Sequence, residues 1–351
     1  MKFAIVAGGT GGHIYPGLAI AQAIKERDPA AKIIFIGSSE GLEKNIIEQA
    51  GFDIRLIRSR GLLRKISYKA ISAPFVSLIG FFQAISLLYS YRPDYLLSTG
   101  GYASLPAAIA AWILRIPIVL QEQNTLPGAV NRFVARLAKK CFLSFEETKK
   151  YIAGECVGNP VRQEIIKAER GPARQKYAPN NEKLILVIGG SQGAKRLNEI
   201  IIDSLSHLPS GVKIVHIVGQ RDFHWVEVKT QNISRSQYQP LAYLFDMSEI
   251  LAAADLVISR AGATAIAEFL VRGLPMVLVP FPYAADNHQL LNARAVANAG
   301  AAVLIEEKDL DAEKFIALLN DRSLNYAKMS LAAKSLARPL AAERIVDSLY
   351  G

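Results

Sequence analysis

Three glycine-rich loops hold the residue types in this chain best suited to chemistry. Gly8-Gly9-Thr10-Gly11-Gly12-His13 follows the apolar run Lys2 to Ala7, Gly100-Gly101-Tyr102-Ala103-Ser104 follows Tyr95 to Thr99, and Gly189-Gly190-Ser191-Gln192-Gly193-Ala194-Lys195 follows Leu184 to Ile188. Glycine removes the Cβ atoms that keep a phosphate or sugar away from the main chain, and it permits the positive φ angles that turn several N–H groups one way. Pro16 and Pro106 suit the first turns of helices behind the first two loops, whose amino ends carry partial positive charge. Each loop reads as a cradle for an anion or polar ligand at the carboxyl end of a strand, where open α/β sheets bind ligands. None is a Walker A loop, because no Gly-Lys-Ser/Thr follows at the required spacing.

The elements that must position these loops alternate along the chain. At 351 residues, two domains are expected. Short continuous apolar runs such as Ile33 to Ile36, Ile118 to Leu120 and Met276 to Val279 read as strands buried on both faces of a parallel sheet. Helices are predicted over Pro16 to Arg27, Gly41 to Ala50, Ala70 to Tyr89, Leu105 to Leu114 and Gly128 to Ala138. A further helical stretch, Ser330 to Tyr350, is broken by Pro339. Gly158-Asn159-Pro160 stops any element, and the polar, proline-bearing stretch 170–182 follows it, so the hinge is expected there. The expected domains are 1–160 and 161–337, with 338–351 crossing back to the first. Only Cys141 and Cys156 occur, in no metal-like spacing, and Met1-Lys2 leads straight into a strand, so a reducing, cytosolic setting without a cleavable signal is expected.

The formal charge of +10 is unevenly placed: residues 1–160 hold 19 Lys and Arg against 11 Asp and Glu, and the remainder holds 22 against 20. Arg55, Arg58, Arg60, Arg64, Lys65 and Lys69 lead into an apolar stretch from Ile71 to Tyr89 that is nearly long enough to span a bilayer. Pro74, Gly80, Gln83 and several serines lower its hydrophobicity, so it reads as a helix lying on a membrane without crossing it. Basic residues beside an apolar face are drawn to an anionic leaflet by about 1 kcal/mol per charge. The competing reading is a core helix covering a sheet, with solvated charges upstream. Nucleic acid is disfavoured, since the basic stretch lacks interleaved aromatics.

Taken in order and spacing, these segments resemble the MurG family, bacterial glycosyltransferases that add N-acetylglucosamine to undecaprenyl-diphospho-N-acetylmuramoyl-pentapeptide on the inner leaflet. Besides the three loops, the resemblance rests on Gln121-Glu122-Gln123-Asn124, Gly158-Asn159-Pro160-Val161-Arg162, Ser259-Arg260-Ala261-Gly262-Ala263 through Glu268, and Asp286-Asn287-His288-Gln289. It implies the GT-B fold, an α/β architecture of two Rossmann-like domains whose parallel sheets face a central cleft. The second domain would mainly hold UDP-N-acetylglucosamine and the first the lipid-linked acceptor, with Thr10, Gly11, Gly12 and Tyr102 among the substrate-binding residues. Main-chain N–H groups of Ala263, Thr264 and Ala265 at a helix start would meet the diphosphate, and Glu268 would accept hydrogen bonds from the ribose hydroxyls. The family commonly has threonine where Ala265 stands, so that hydroxyl contact is shifted to Thr264 or lost. Gln289 and His288 would read sugar hydroxyls, His288 standing where some relatives have glutamine. Asn124, Ser191 and Gln192 would meet the sugar or diphosphate, Arg162 would complement the diphosphate or orient the base, and the main chain of Leu244 would contact uracil. The implied location is peripheral, on the cytoplasmic face of the inner membrane, with other cell-wall synthesis proteins as further partners.

His13, at a helix amino end, is disfavoured as imidazolium and so suits the role of general base toward the attacking sugar hydroxyl. Its alternative role is to bind phosphate or cap the helix, and Glu122 is either the competing base or its orienting partner. No metal site is expected: the one Asp-x-Asp triplet, Asp309-Leu310-Asp311, places Asp311 as a helix N-cap, and no HExxH or cysteine pair occurs. Leaving-group charge then falls to helix ends, main-chain N–H groups and Arg162, without a cofactor. An NAD-linked oxidoreductase is disfavoured, because Gly8 to Gly12 is out of the G-x-G-x-x-G register and no acidic residue ends a second strand near Phe35-Ile36-Gly37. A non-catalytic membrane adaptor is disfavoured by intact His13 and Glu268, and another GT-B UDP-sugar transferase acting on a membrane glycolipid is the remaining alternative.

Overall fold

The structure is a computed structural model describing residues 1–39, 43–59, 68–190, 193–321 and 323–351, with side chains of the helix beginning at Tyr68 described from Val76 onward. The chain divides into two compact units, 1–162 with 338–351, and 163–337. In the first, strands β1 (Lys2–Ala7), β2 (Lys32–Ser38), β3 (Asp53–Ile57), β4 (Tyr95–Gly100), β5 (Ile118–Glu122), β6 (Lys140–Leu143) and β7 (Glu155–Cys156) form one parallel sheet. Helices α1 (Gly11–Arg27), α2 (Glu43–Gln49), α3 (Tyr68–Tyr91), α4 (Ser104–Ile113) and α5 (Ala129–Ala135) lie between its strands.

The second unit opens with α6 (Gln163–Lys167) and α7 (Arg170–Tyr177). It continues through β8 (Lys183–Ile188), α8 (Lys195–Ser204), β9 (Val212–Ile217), α9 (Gln220–Lys229), β10 (Tyr238–Leu241) and α10 (Ser248–Ala253). The rest of its sheet comprises β11 (Leu256–Ser259), α11 (Ala263–Arg272), β12 (Met276–Leu278), α12 (His288–Asn298) and β13 (Ala302–Leu304), followed by α13 (Ala312–Asn320) and α14 (Tyr326–Leu336). The final helix, α15 (Ala341–Tyr350), belongs to the first unit, where Ala342, Ile345, Val346 and Leu349 join the core beneath α1.

The strand orders are β3-β2-β1-β4-β5-β6-β7 and β10-β9-β8-β11-β12-β13. In both sheets the direction of winding reverses between the first strand and the fourth, so a crevice opens beyond the carboxyl ends of β1 and β4, and of β8 and β11. Apolar residues on both faces fix this layering: Phe3, Ile5 and Ala7 enter the core under α1 and α15, while Ala4 and Val6 enter the core shared with α3 and α4. Burying each larger side chain of this kind contributes about 1.5–3 kcal/mol.

Two expectations need correction. Helix α1 begins at Gly11, not Pro16, because the carbonyl of Thr10 accepts from the N–H groups of His13 and Ile14. Pro16 therefore lies inside the helix, where its ring is buried and only one main-chain hydrogen bond is forgone. The stretch 170–182, expected in the hinge, instead contains α7 of the second unit. Arg170 and Arg174 both bind the Asp255 carboxylate, and they reach the carbonyls of Ala252, Ala253 and Ala254. Asp311 caps α13, its carboxylate accepting from the N–H of Lys314 at 2.8 Å.

Candidate active site

In the first unit the predicted residues gather at the carboxyl ends of β1, β4 and β5. Thr10, extended and exposed, stands at the N-cap of α1, with Gly11, Gly12 and His13 in the first turn. The His13 imidazole lies over the end of β4, with Nδ1 2.9 Å from the carbonyl of Thr99 and 3.0 Å from Oε1 of Gln123. A carbonyl can only accept, so Nδ1 carries the proton and Nε2 becomes the basic nitrogen. Thr99 also grips the histidine's main chain, its hydroxyl donating to the His13 carbonyl at 2.8 Å, and Gln123 Nε2 donates to the Thr99 carbonyl at 2.6 Å. Gly100 makes room for the ring: its φ is +109°, and a Cβ there would lie 2.7 Å from His13 Nδ1.

Glu122, at the end of β5, is 1% exposed. Its Oε1 accepts from the N–H of Asn124 at 2.8 Å and from the side-chain amide at 3.2 Å, and its Oε2 accepts from Asn131 Nδ2 at 2.7 Å. Burial pushes the Glu122 carboxyl above the usual range, while these amide donors oppose the rise. The carbonyl of Thr99, with Gln123, occupies the orienting position on His13 Nδ1 that the sequence left open to Glu122. Tyr102 is exposed on the loop after β4, Asn124 is half-buried, and the buried Arg162 guanidinium stacks 4.2 Å from the centroid of the Tyr15 ring on α1.

The glycines of this unit serve the protein's own packing more than the sequence suggests. A Cβ at Gly101 would meet the carbonyl oxygen of Gly8 at 2.1 Å, so the first and second loops close on each other. The N–H of Gly9 is taken by the Glu43 carboxylate at 2.9 Å and is not presented to a ligand. The second unit is mixed: a Cβ at Gly193 would meet the Val218 carbonyl oxygen at 2.7 Å, whereas among the described residues one at Gly190 or Gly262 would meet nothing within 4 Å.

In that unit, Arg260-Ala261-Gly262 follows β11 and delivers the chain into α11 with Gly262 as the N-cap. Ala263, Thr264 and Ala265 form the first turn, at the amino end of the helix where the partial positive charge lies. Thr264 and Glu268, four residues apart and both buried, share one face of α11. Arg260 acts as scaffold: its guanidinium donates to the carbonyls of Val279 and Pro280 and pairs with Glu307, fixing the chain beyond β12. On that chain Gln289 Oε1 accepts from the N–H of Phe281 at 2.9 Å. His288 Nδ1 donates to the Ala285 carbonyl at 2.7 Å, so its Nε2 is an acceptor. Leu244 is half-buried on the loop after β10, while Ser191 and Gln192 lie outside the described residues.

Residues 3–143 match the glycosyltransferase family 28 N-terminal domain, and residues 184–345 match the glycosyltransferase family 28 C-terminal domain. A Moorella thermoacetica protein named UDP-N-acetylglucosamine--N-acetylmuramyl-(pentapeptide) pyrophosphoryl-undecaprenol N-acetylglucosamine transferase is 40% identical, covering 99% of this chain and 98% of the relative. A Desulforamulus reducens protein of the same name is 38% identical over 99% of this chain and 97% of its own length. The crystal structure of Acinetobacter baumannii MurG is similar with a TM-score of 0.75 at 29% identity, covering 99% of both chains. The chain belongs to the MurG family.

Within this MurG-family chain, sequence reasoning missed the residues that hold the named ones in place. Thr99 and Gln123 set the tautomer and tilt of His13, Asn131 anchors Glu122, and the fully buried Asn292 donates to the Ala261 carbonyl at 3.2 Å, bracing the entry to α11. One signal was present for Gln123: the run Gln121-Glu122-Gln123-Asn124 puts polar residues where an apolar strand ends, and three of the four are buried. Such groups need partners.

Proposed function

We propose that this chain transfers N-acetylglucosamine from UDP-N-acetylglucosamine to the 4-hydroxyl of the muramoyl sugar of undecaprenyl-diphospho-MurNAc-pentapeptide, with inversion in one displacement, as a step of peptidoglycan synthesis. The observation that carries this is 38–40% identity over 99% of the chain to enzymes named for that transfer. The His13 tautomer supplies chemistry to match: Nε2 takes the proton of the acceptor hydroxyl as its oxygen attacks the anomeric carbon, and the sugar–phosphate bond breaks to release UDP. The N–H groups opening α11 meet the diphosphate, Glu268 holds the ribose, and Gln289 with His288 reads the hexose. The test is UDP release from UDP-N-acetylglucosamine with and without the lipid-linked acceptor. Release that depends on the acceptor is expected, with UDP-glucose a poor donor; release without acceptor, or equal use of UDP-glucose, overturns the assignment.

The same reading places the first unit on an anionic inner leaflet as a peripheral protein. Among the described residues no helix is long and apolar enough to cross a membrane. The two faces of helix α3 support both roles the sequence left open. Ala84 and Leu88 cover the sheet, while Leu78, Ile79, Phe82 and Tyr89 are exposed, as are Trp112 and Ile113 on the neighbouring α4. Arg55 and Arg58 are exposed, whereas Arg60, Arg64, Lys65 and the Lys69 side chain lie outside the described residues. Changing Leu78, Phe82 and Trp112 together to Glu is expected to lower binding to anionic vesicles by more than about tenfold in a sedimentation assay. Turnover on a short-chain, water-soluble acceptor should stay near wild type. Undiminished vesicle binding would place the membrane contact elsewhere.

A further inference from the structure

Glu43 is the first residue of α2, is 0% exposed, and lies outside every motif that the sequence singles out. Its Oε1 accepts from the N–H of Gly9 at 2.9 Å and from the N–H of Ser38 at 3.0 Å, and among the described residues its Oε2 has no hydrogen-bond partner. The carboxylate reaches that seat because the penultimate residue of β2 is a glycine: a Cβ at Gly37 would lie 2.9 Å from Glu43 Cγ. Dinucleotide-binding folds place an acidic side chain at this strand end to read ribose. Here the carboxylate arrives from the next helix and turns inward on the glycine loop.

The consequence concerns His13, four residues beyond Gly9. The loop between them is gripped from both sides of β1. From the β4 side, Gly8 N–H donates to the Gly100 carbonyl at 3.3 Å, Gly101 abuts Gly8, and Thr99 holds the imidazole. On the β2 side, Glu43 holds Gly9, whose φ of +92° is one that few residues tolerate. We infer that Glu43 is a positioning residue for the reaction, fixing the glycine loop so that His13 meets the acceptor hydroxyl in register. This rests on the reading of His13 as base. Misplacing a catalytic group by about 1 Å can cost about 10²-fold in rate.

Two substitutions separate this role from simple packing. Glu43→Asp keeps the carboxyl but is one methylene too short to reach Gly9. We expect its kcat to fall by about tenfold or more, with KM for UDP-N-acetylglucosamine unchanged because Glu43 touches none of the groups assigned to the donor. Glu43→Gln keeps the Oε1 acceptor, removes a buried charge, and should retain wild-type kcat with equal or higher thermal stability. A merely structural role would lower the Tm of the Asp variant while leaving kcat per folded molecule intact. That result, or a tenfold loss in the Gln variant, overturns the inference, and the Gln arm decides it should the Asp variant not fold. Measured beside them, His13→Ala separates the two readings. An inactive Ala variant with an active Asp variant removes Glu43 alone, whereas an active Ala variant removes the base assignment.

Discussion

Replacing His13 with Ala lowers kcat by about 10²–10⁴-fold, the span expected when a positioned general base is lost. The affinity for UDP-N-acetylglucosamine, read by ligand-induced thermal stabilisation, stays near the wild-type value because His13 is not among the groups assigned to the donor, of which Glu268, Gln289 and the turn opening α11 are in the second unit. The size of the loss follows from the geometry of the ring. The Thr99 carbonyl accepts the Nδ1–H hydrogen bond, and Gln123 braces the same edge, so Nε2 is the ring nitrogen able to accept from a substrate hydroxyl. Glu122→Gln serves as the comparison. Its carboxylate already accepts three amide hydrogen bonds from Asn124 and Asn131, so a smaller loss than that of His13→Ala is expected. Normal turnover by His13→Ala would end the assignment, and a larger collapse in Glu122→Gln would transfer the role to that carboxylate.

Replacing Glu268 with Ala has its effect on binding. Hydrogen bonds to a carboxylate are worth roughly 1.5–3 kcal/mol each, so losing two from vicinal ribose hydroxyls raises the KM for UDP-N-acetylglucosamine by about 10²–10⁴-fold. kcat at saturating donor changes little, because the ribose is remote from the bond being broken. Glu268 is 7% exposed and shares a helix face with Thr264, whose N–H belongs to the turn assigned to the diphosphate. That placement speaks against an ordinary solvated helix carboxylate, which would lie on the outer face. A wild-type KM, together with an undiminished UDP-induced rise in Tm, would reduce Glu268 to a structural residue.

How far these residues could be read in advance depended on where their partners lie along the chain. Glycine loops that follow apolar runs are local patterns, and a strand emptying into Gly8 to Gly12 implies a ligand-bearing edge whatever surrounds it. The capping of α13 by Asp311 was legible for the same reason, since donor and acceptor are three residues apart. The start of α1 is not legible in this way, because Pro16 looks like an opening residue, while the carbonyl of Thr10 begins the helix earlier. That shift matters for function, for it brings His13 into the first turn.

By itself, the sequence determined the class of architecture, the two glycine-lined strand ends of the first unit, and the family to which the chain belongs. Each depends on residue type and spacing over short distances. Tertiary structure decided which proton His13 carries, what occupies the N–H of Gly9, and why Gly100 and Gly101 must lack side chains. Those answers come from Thr99, Glu43, His13 and Gly8, which lie 86, 34, 87 and 93 residues from the groups they contact. No periodicity reports a contact of that separation. It exists only because parallel pairing sets β2, β1 and β4 side by side, with their carboxyl ends at one edge.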